Sequence, residues 1–201
     1  MKKLLATAMV AITAVGAWAQ GTVNFANYFT VSTPQILAIT YDVDGVTRLN
    51  NAYAADLFYG APGSDPSTWQ SAGVVSVYRT GTAAGRLTPM EVSLPGVPGG
   101  SLIEVQLRAW RLSDGASWQA AWASASVSKP SVLSPINAPS VVVRTGNPNA
   151  VPPGVPADLI DVNTGLALAS HSLVQVVPEP STILLGLAGL GGLLYLRRRK
   201  A

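Results

Sequence analysis

The only histidine of the chain, His171, is the first residue to consider for catalysis. A hydrolytic triad needs a nucleophile beside the histidine and a carboxylate that orients its ring. Asp158 and Asp161 lie near His171 in sequence, but no serine of the chain stands in a G-x-S-x-G nucleophile turn. We therefore predict that His171 is an ordinary strand residue. A zinc site needs three or four good ligands, and none is predicted here.

The carboxylates raise two further kinds of site. Asp42-Val43-Asp44-Gly45 looks like the start of a calcium loop, but the third oxygen ligand and the closing glutamate are missing, so a plain Asp-Gly turn is expected. A secreted hydrolase that cleaves glycosides would need two facing carboxylates, and this distant alternative stays open because such pairing is spatial. The chain has no cysteine and no glycine-rich phosphate loop. We predict no catalytic residue, no metal site and no cofactor.

Aromatic side chains offer a different chemistry, which is stacking on the C–H faces of sugar rings. Trp110 is predicted on the polar face of a strand, and Trp69 lies beside a turn-rich loop, so these two are the candidates for sugar stacking. The alternative, which we favour, is that the tryptophans complete the core or cover the sheet, as aromatic residues commonly do. Trp118 and Trp122 are assigned to the core for that reason.

The elements that would position these residues are β-strands. Residues 20–177 are poor in charge, and short apolar runs alternate there with turn residues. This pattern is typical of an all-β domain, and a β-sandwich of the jelly-roll or immunoglobulin-like kind is predicted. Outside the hairpins described next, strands are expected at 22–29, 54–59, 74–79, 90–94, 140–144 and 166–177, and loops at 61–67, 95–100 and 147–156.

The clearest predicted element is a hairpin over residues 102–122. An apolar series alternates with a more polar one, which predicts two distinct strand faces: Ile103, Val105, Leu107 and Ala109 against Glu104, Gln106, Arg108 and Trp110. Asp114-Gly115 fits a two-residue turn. In that register Arg111 pairs with Trp118, Ala109 with Ala120 and Leu107 with Trp122. A second hairpin is predicted at Asp44-Gly45.

The first nineteen residues have the pattern of a secretory signal peptide. Lys2 and Lys3 form a positive start, residues 4–15 are apolar apart from two threonines, and small residues at Ala17 and Ala19 form the cleavage site. The apolar run is too short for a comfortable membrane span. Residues 1–19 are therefore predicted to direct export.

The other end of the chain also has an ordered set of features. Pro178-Glu179-Pro180 precedes an uncharged apolar stretch over residues 181–196, and a basic run follows at once: Arg197, Arg198, Arg199 and Lys200. A helix over 181–196 would be about 24 Å long, slightly short of the roughly 30 Å core of a bilayer. The four cations are predicted to stop transfer and to stay in the cytoplasm. Both ends thus predict one topology, with the body exported and the basic tail retained.

The charge of the chain is concentrated in these two ends. The net charge is +3, from 13 cations and 10 anions. Without the six cations of the two ends, seven cations face ten anions, so the body is acidic. The body therefore has no basic stripe for phosphates, and no nucleic-acid partner is predicted.

Taken together, Pro178-Glu179-Pro180, the apolar span and the Arg-Arg-Arg-Lys end resemble the PEP-CTERM sorting signal of Gram-negative bacteria. The resemblance covers residues 178–201, and the segment Gln20 to Asn27 also resembles the opening of many PEP-CTERM proteins. It implies an exosortase-like protease as a partner that processes the tail, contact with the inner membrane in transit, and an association with exopolysaccharide and biofilm production.

We expect from this an exported, non-enzymatic protein that ends at the cell surface or outside the cell. Its expected role is as a structural or adhesive component of the cell envelope or exopolysaccharide matrix. The alternative is a carbohydrate-binding module for exopolysaccharide, and a secreted hydrolase is the more distant possibility.

Overall fold

The computed structural model of the protein describes residues 20–29, 36–37, 39–126 and 128–177. Several predicted features lie outside these ranges: the signal peptide 1–19 with Ala17 and Ala19, the Pro178-Glu179-Pro180 motif, the apolar span 181–196 and the basic run 197–200. Within the described ranges, none of the helices has the length and the apolar character that a bilayer crossing requires.

The described residues are mostly β-structure, which confirms the predicted all-β class. The strands are β1 Gln20–Phe25, β2 Tyr28–Phe29, β3 Ile36–Leu37, β4 Thr40–Tyr41, β5 Tyr53–Gly60, β6 Gln70–Ser71, β7 Ser76–Val77, β8 Met90–Pro98, β9 Leu102–Arg111, β10 Ser131–Leu133, β11 Ser140–Arg144, β12 His171–Ser172 and β13 Val174–Val176. One α-helix of this part of the chain, α1, spans Trp118–Ser124, and short 3-10 turns occupy 66–68, 81–83 and 112–114.

The largest sheet is built around the pairing of β5 with β9. The order is β13-β10-β9-β5-β6, with β11 also on β9 and β7 also on β5. The antiparallel register of β5 and β9 runs from Tyr53 opposite Arg111 to Gly60 opposite Glu104. β1 pairs with β8, β2 with β3, and the short β12 lies parallel to β4.

The main core lies on the apolar face of β9, as the alternation predicts. Ile103, Val105, Leu107 and Ala109 are all buried there, together with alternate residues of β5 and with residues of β1 and β8 such as Phe25. Burial of a large apolar side chain contributes about 1.5–3 kcal/mol, so this cluster is a main source of stability. The β1–β8 pair and the large sheet thus share one core, while the sandwich arrangement stays a prediction.

The hairpin predicted at Asp114-Gly115 is wrong. After β9 the chain makes a 3-10 turn and then enters α1, whose first N–H groups are capped by Ser117, since its hydroxyl accepts from the Ala120 N–H at 3.1 Å. The strand beside this end of β9 is instead β10, where Leu133 pairs with Trp110. The predicted pairs of Arg111, Ala109 and Leu107 with residues 118–122 therefore do not form.

The turn predicted around Asp44-Gly45 is present, with a longer loop than two residues. The Gly45 N–H donates to the Asp42 carbonyl at 3.0 Å, and the Asp42 N–H donates to the Thr47 carbonyl at 2.7 Å. Gly45 has a φ of 70°, which glycine adopts without strain. The loop predicted at 147–156 is confirmed, whereas β8 runs on to Pro98 and shortens the loop predicted at 95–100.

Candidate functional site

The predicted polar face of β9 is not a solvent face. Gln106, Arg108 and Trp110 are all buried, because α1 and the segment after β10 cover this side of the sheet. Gln106 donates through its side-chain amide to the carbonyls of Ile136 and Ala138. This face thus forms a second core that contains a cation.

The buried cation is the guanidinium of Arg108, which lies against two aromatic rings. Its guanidinium carbon lies 4.2 Å from the centre of the Phe58 ring and 4.7 Å from that of Trp118. Nε donates to Gln106 Oε1 at 2.6 Å, and Nη2 donates to the Pro66 carbonyl at 2.5 Å. Burial lowers the pKa of Arg108 to about 10. Arg108 has no carboxylate partner among the described residues, where the salt bridge is that of Arg111 with Asp114. Its charge is instead met by two carbonyl oxygens and by the π faces of two rings.

The same cluster continues to the surface through Trp122. The Trp122 and Trp118 rings stack with centroids 5.2 Å apart and planes inclined by 25°. The Trp118 N–H donates to the Ser134 carbonyl at 3.0 Å, and its ring meets Phe58 edge-on at 5.7 Å. We refer to Phe58, Arg108, Trp118 and Trp122 as the aromatic cluster. Its outermost member, Trp122, is 40% exposed, although the sequence pattern assigns it to the core.

The two tryptophans named as candidates for sugar stacking, beside the favoured alternative of a place in the core, are both buried in this structure. Trp110 has no exposed surface, and its indole N–H donates to the Gly115 carbonyl at 2.9 Å. Trp69 is 6% exposed and donates to Ser64 Oγ at 2.9 Å. The backbone of Gly60 lies so close to the Trp69 ring that a Cβ there would be 2.4 Å from it. Both indoles are thus largely enclosed by the fold in this structure.

A cleft of about 520 Å³ opens where the end of β5 meets β8. The edge of Trp69 lines it together with Tyr59, Gln70, Val97 and Leu102. The Tyr59 hydroxyl donates to the Pro95 carbonyl at 2.9 Å, and burial raises the pKa of Tyr59. The volume is in the range of small-ligand sites. The described lining residues include no carboxylate.

His171 lies in β12 and contacts a serine that the sequence did not single out. Its Nε2 is 2.9 Å from Ser134 Oγ, and that hydroxyl also accepts from the Ala109 N–H at 2.8 Å. Burial lowers the pKa of His171 to about 4, so the ring is neutral at pH 7. Asp158 and Asp161 accept hydrogen bonds from Asn24 and from the Val142 N–H, respectively. Ser134 is fully buried, so this pair does not meet a substrate in the conformation described.

The carboxylates of the Asp42-Val43-Asp44-Gly45 segment organise the turn. Asp44 accepts from the Thr47 hydroxyl and from the N–H groups of Val46 and Thr47, and these bonds lower the pKa of Asp44. Asp42 accepts from the Tyr53 hydroxyl at 2.7 Å. In the described part of the chain, no three histidine or acidic side chains lie close enough together to share a metal ion.

Comparison with known proteins identifies the C-terminal segment. Residues 176–200 match the PEP-CTERM protein-sorting motif, as the resemblance implied. No curated protein and no solved structure matches the chain. The match begins at Val176, the last residue of β13, which pairs with Ser131 of β10. The chain therefore carries a PEP-CTERM protein-sorting motif at its C-terminal end, which marks it as an exported protein sorted by exosortase.

Proposed function

We propose that the body of this exported chain is a non-enzymatic structural or adhesive component of the cell envelope or of the exopolysaccharide matrix. The observation that carries the proposal is the sorting motif, whose match begins inside the last strand of the sheet at Val176. The last described strand adjoins the motif in sequence, so the part of the chain that we propose to be sorted is the body of residues 20–177.

In the proposed non-enzymatic role, the polar side chains of the body serve to hold the fold together. His171 and Ser134 bind each other, and Asp114 accepts from Arg111 and from the Val132 N–H. Asp56 accepts from the Ser71 hydroxyl and from two backbone N–H groups. These groups are engaged in holding the fold together, and a hydrolase would need two carboxylates facing a cleft.

Fractionation of producing cells tests the proposed role. The intact chain is expected in the envelope or matrix fraction, and deletion of residues 178–201 is expected to release it or send it elsewhere. The deletion begins after β13 and so leaves the sheet intact. A control variant with Gln at positions 197–200 removes only the basic run. An unchanged distribution after the deletion would refute sorting by this segment, and unchanged adhesion and matrix mass in cells that lack the protein would refute the role.

Carbohydrate binding is the second candidate function. The observations that favour it are the exposed ring of Trp122 and the cleft at Trp69, which are the described aromatic surfaces that a glycan could approach. Trp69 is 6% exposed at the cleft, whereas Trp122 is 40% exposed and is stacked on Trp118.

A further inference from the structure

The exposed part of Trp122 is large enough to receive one sugar ring. A tryptophan side chain has about 250 Å² of surface at most, so an exposed fraction of 40% corresponds to about 100 Å². One face of the indole is covered by stacking on Trp118 at 5.2 Å. The exposed area is therefore of the order of the second face.

The ring beneath Trp122 is held in place before any ligand arrives. Trp118 is fixed by its N–H bond to the Ser134 carbonyl, by its edge contact with Phe58 and by the guanidinium of Arg108. Trp122 itself lies on α1, which begins at the Ser117 cap. A surface ordered in this way loses little conformational entropy on binding, which favours affinity.

The surroundings of Trp122 favour an uncharged ligand. Residues 115–128 include no charged side chain and consist mainly of alanine and serine around the two tryptophans. Gln119 is exposed three residues before Trp122, so it lies on the same side of α1 and can exchange hydrogen bonds with hydroxyl groups. The next cation along the chain, Lys129, donates to the Ser113 carbonyl at 3.4 Å. Anionic ligands are usually bound through arginine or lysine, and residues 115–128 include neither, while Arg111 is paired with Asp114.

We propose that Trp122, with Gln119 at its side, is a binding platform for a ring of a neutral polysaccharide. The platform rests on the proposed matrix function and names the ligand class through which the body would be retained there. Alanines flank Trp122 in the sequence, and the apolar ring with a neutral polar neighbour matches the alternating C–H and hydroxyl surface of a neutral sugar.

Binding of defined polysaccharides to the full chain in mild detergent tests the platform. The probes are hydroxyethyl cellulose, laminarin and galactomannan as neutral polymers, and polygalacturonate as an anionic one, measured by affinity electrophoresis and by tryptophan fluorescence. Binding of a neutral polymer should weaken about tenfold in Trp122→Ala, because one stacking contact of about 1.4 kcal/mol is lost. Trp122→Tyr should retain most of the affinity. Gln70→Ala at the cleft and Leu166→Ala at a distant exposed apolar position should bind like wild type.

Four results would overturn the platform: no neutral polymer binds, only polygalacturonate binds, Trp122→Ala binds as tightly as wild type, or Gln70→Ala loses binding while Trp122→Ala keeps it. Thermal unfolding shows whether Trp122→Ala is folded; if it is not, Trp122→Leu replaces it, because leucine keeps apolar bulk against Trp118 but offers no aromatic face. Cell fractionation separates the two proposals. A wild-type chain that lies in the matrix but binds no polysaccharide refutes the platform alone, and a wild-type chain absent from envelope and matrix refutes the proposed function.

Discussion

Replacing Arg108 by lysine should destabilise the protein more than replacing it by methionine, although lysine keeps the positive charge. Arg108 is 2% exposed, and its guanidinium contacts the Phe58 and Trp118 rings and two oxygen acceptors. A planar guanidinium can make all these contacts at once, whereas an ammonium cannot stack and remains strongly hydrated. Lysine therefore retains the cost of burying a charge and loses most of what offsets it.

The size of the effect follows from the contacts of Arg108. Each hydrogen bond from a charged donor is worth about 1.5–3 kcal/mol, and each desolvated cation–π contact about 2 kcal/mol. A buried charge that loses its partners typically costs about 3–5 kcal/mol, which is the expected destabilisation for Arg108→Lys. Arg108→Met leaves the Gln106 and Pro66 oxygens without this donor but removes the buried charge, so a loss of about 1–3 kcal/mol is expected.

Urea unfolding followed by tryptophan fluorescence measures both variants at pH 7 and near pH 10. Burial lowers the pKa of the introduced lysine, so between its folded and unfolded pKa values the unfolded state binds more protons. The stability of Arg108→Lys should consequently rise with pH relative to that of Arg108→Met. Equal or greater destabilisation by methionine at both pH values would refute the reasoning, because it would mean that the charge and not the shape of Arg108 supports the fold.

Three other predictions concern single side chains. Asp114→Asn should cost about 2–4 kcal/mol, since Asp114 accepts two hydrogen bonds from Arg111 and one from the Val132 N–H. Burial alone would raise the pKa of Asp114, but these bonds outweigh it and lower the pKa, so the contribution of Asp114 to stability is present above about pH 4 and is lost in acid. Urea unfolding from pH 7 to 3 should therefore show a flatter dependence of stability on pH in the variant. Wild-type stability should also fall between about pH 6.5 and pH 4 because burial lowers the pKa of His171 to about 4 and the unfolded chain takes up the proton first, and His171→Gln should remove this part of the fall. Gly60→Ala should lower the free energy of unfolding by about 1–3 kcal/mol, because its Cβ would lie 2.4 Å from the Trp69 ring, and thermal unfolding should show a lower midpoint. Ala61→Ser at the next, exposed position should leave the midpoint unchanged.

The strand content could be predicted where a local pattern decides the structure. The alternation of Ile103, Val105, Leu107 and Ala109 identified the core face of β9, because a period of two places those side chains on one side of the sheet. The opposite face could not be predicted from that period. Whether Gln106 and Arg108 meet water depends on how α1 and the segment after β10 fold back over β9, which the period of the strand does not specify.

The wrong hairpin at Asp114-Gly115 and the wrong assignment of Trp122 to the core have the same origin. Asp114-Gly115 is a strong turn signal, and it outweighed a helix signal that was also present: Ser117 as a cap, tryptophans four residues apart at 118 and 122, and alanines between them. Reading these residues as a helix would have placed Trp122 away from the apolar face of β9. The sorting motif could be recognised from the sequence because its features are local and occur in a fixed order.

The parallel pairing of His171 with Thr40 and the antiparallel pairing of Val176 with Ser131 join the end of the described chain to two much earlier strands. β12 and β13 lie between residues 171 and 176, directly before or at the start of the sorting motif, whereas β4 and β10 are at 40–41 and 131–133. Until the chain has been synthesised as far as Val176, β4 and β10 therefore lack neighbours with which they are bonded in the finished fold. Two separate sheets are completed only by residues that adjoin the sorting motif.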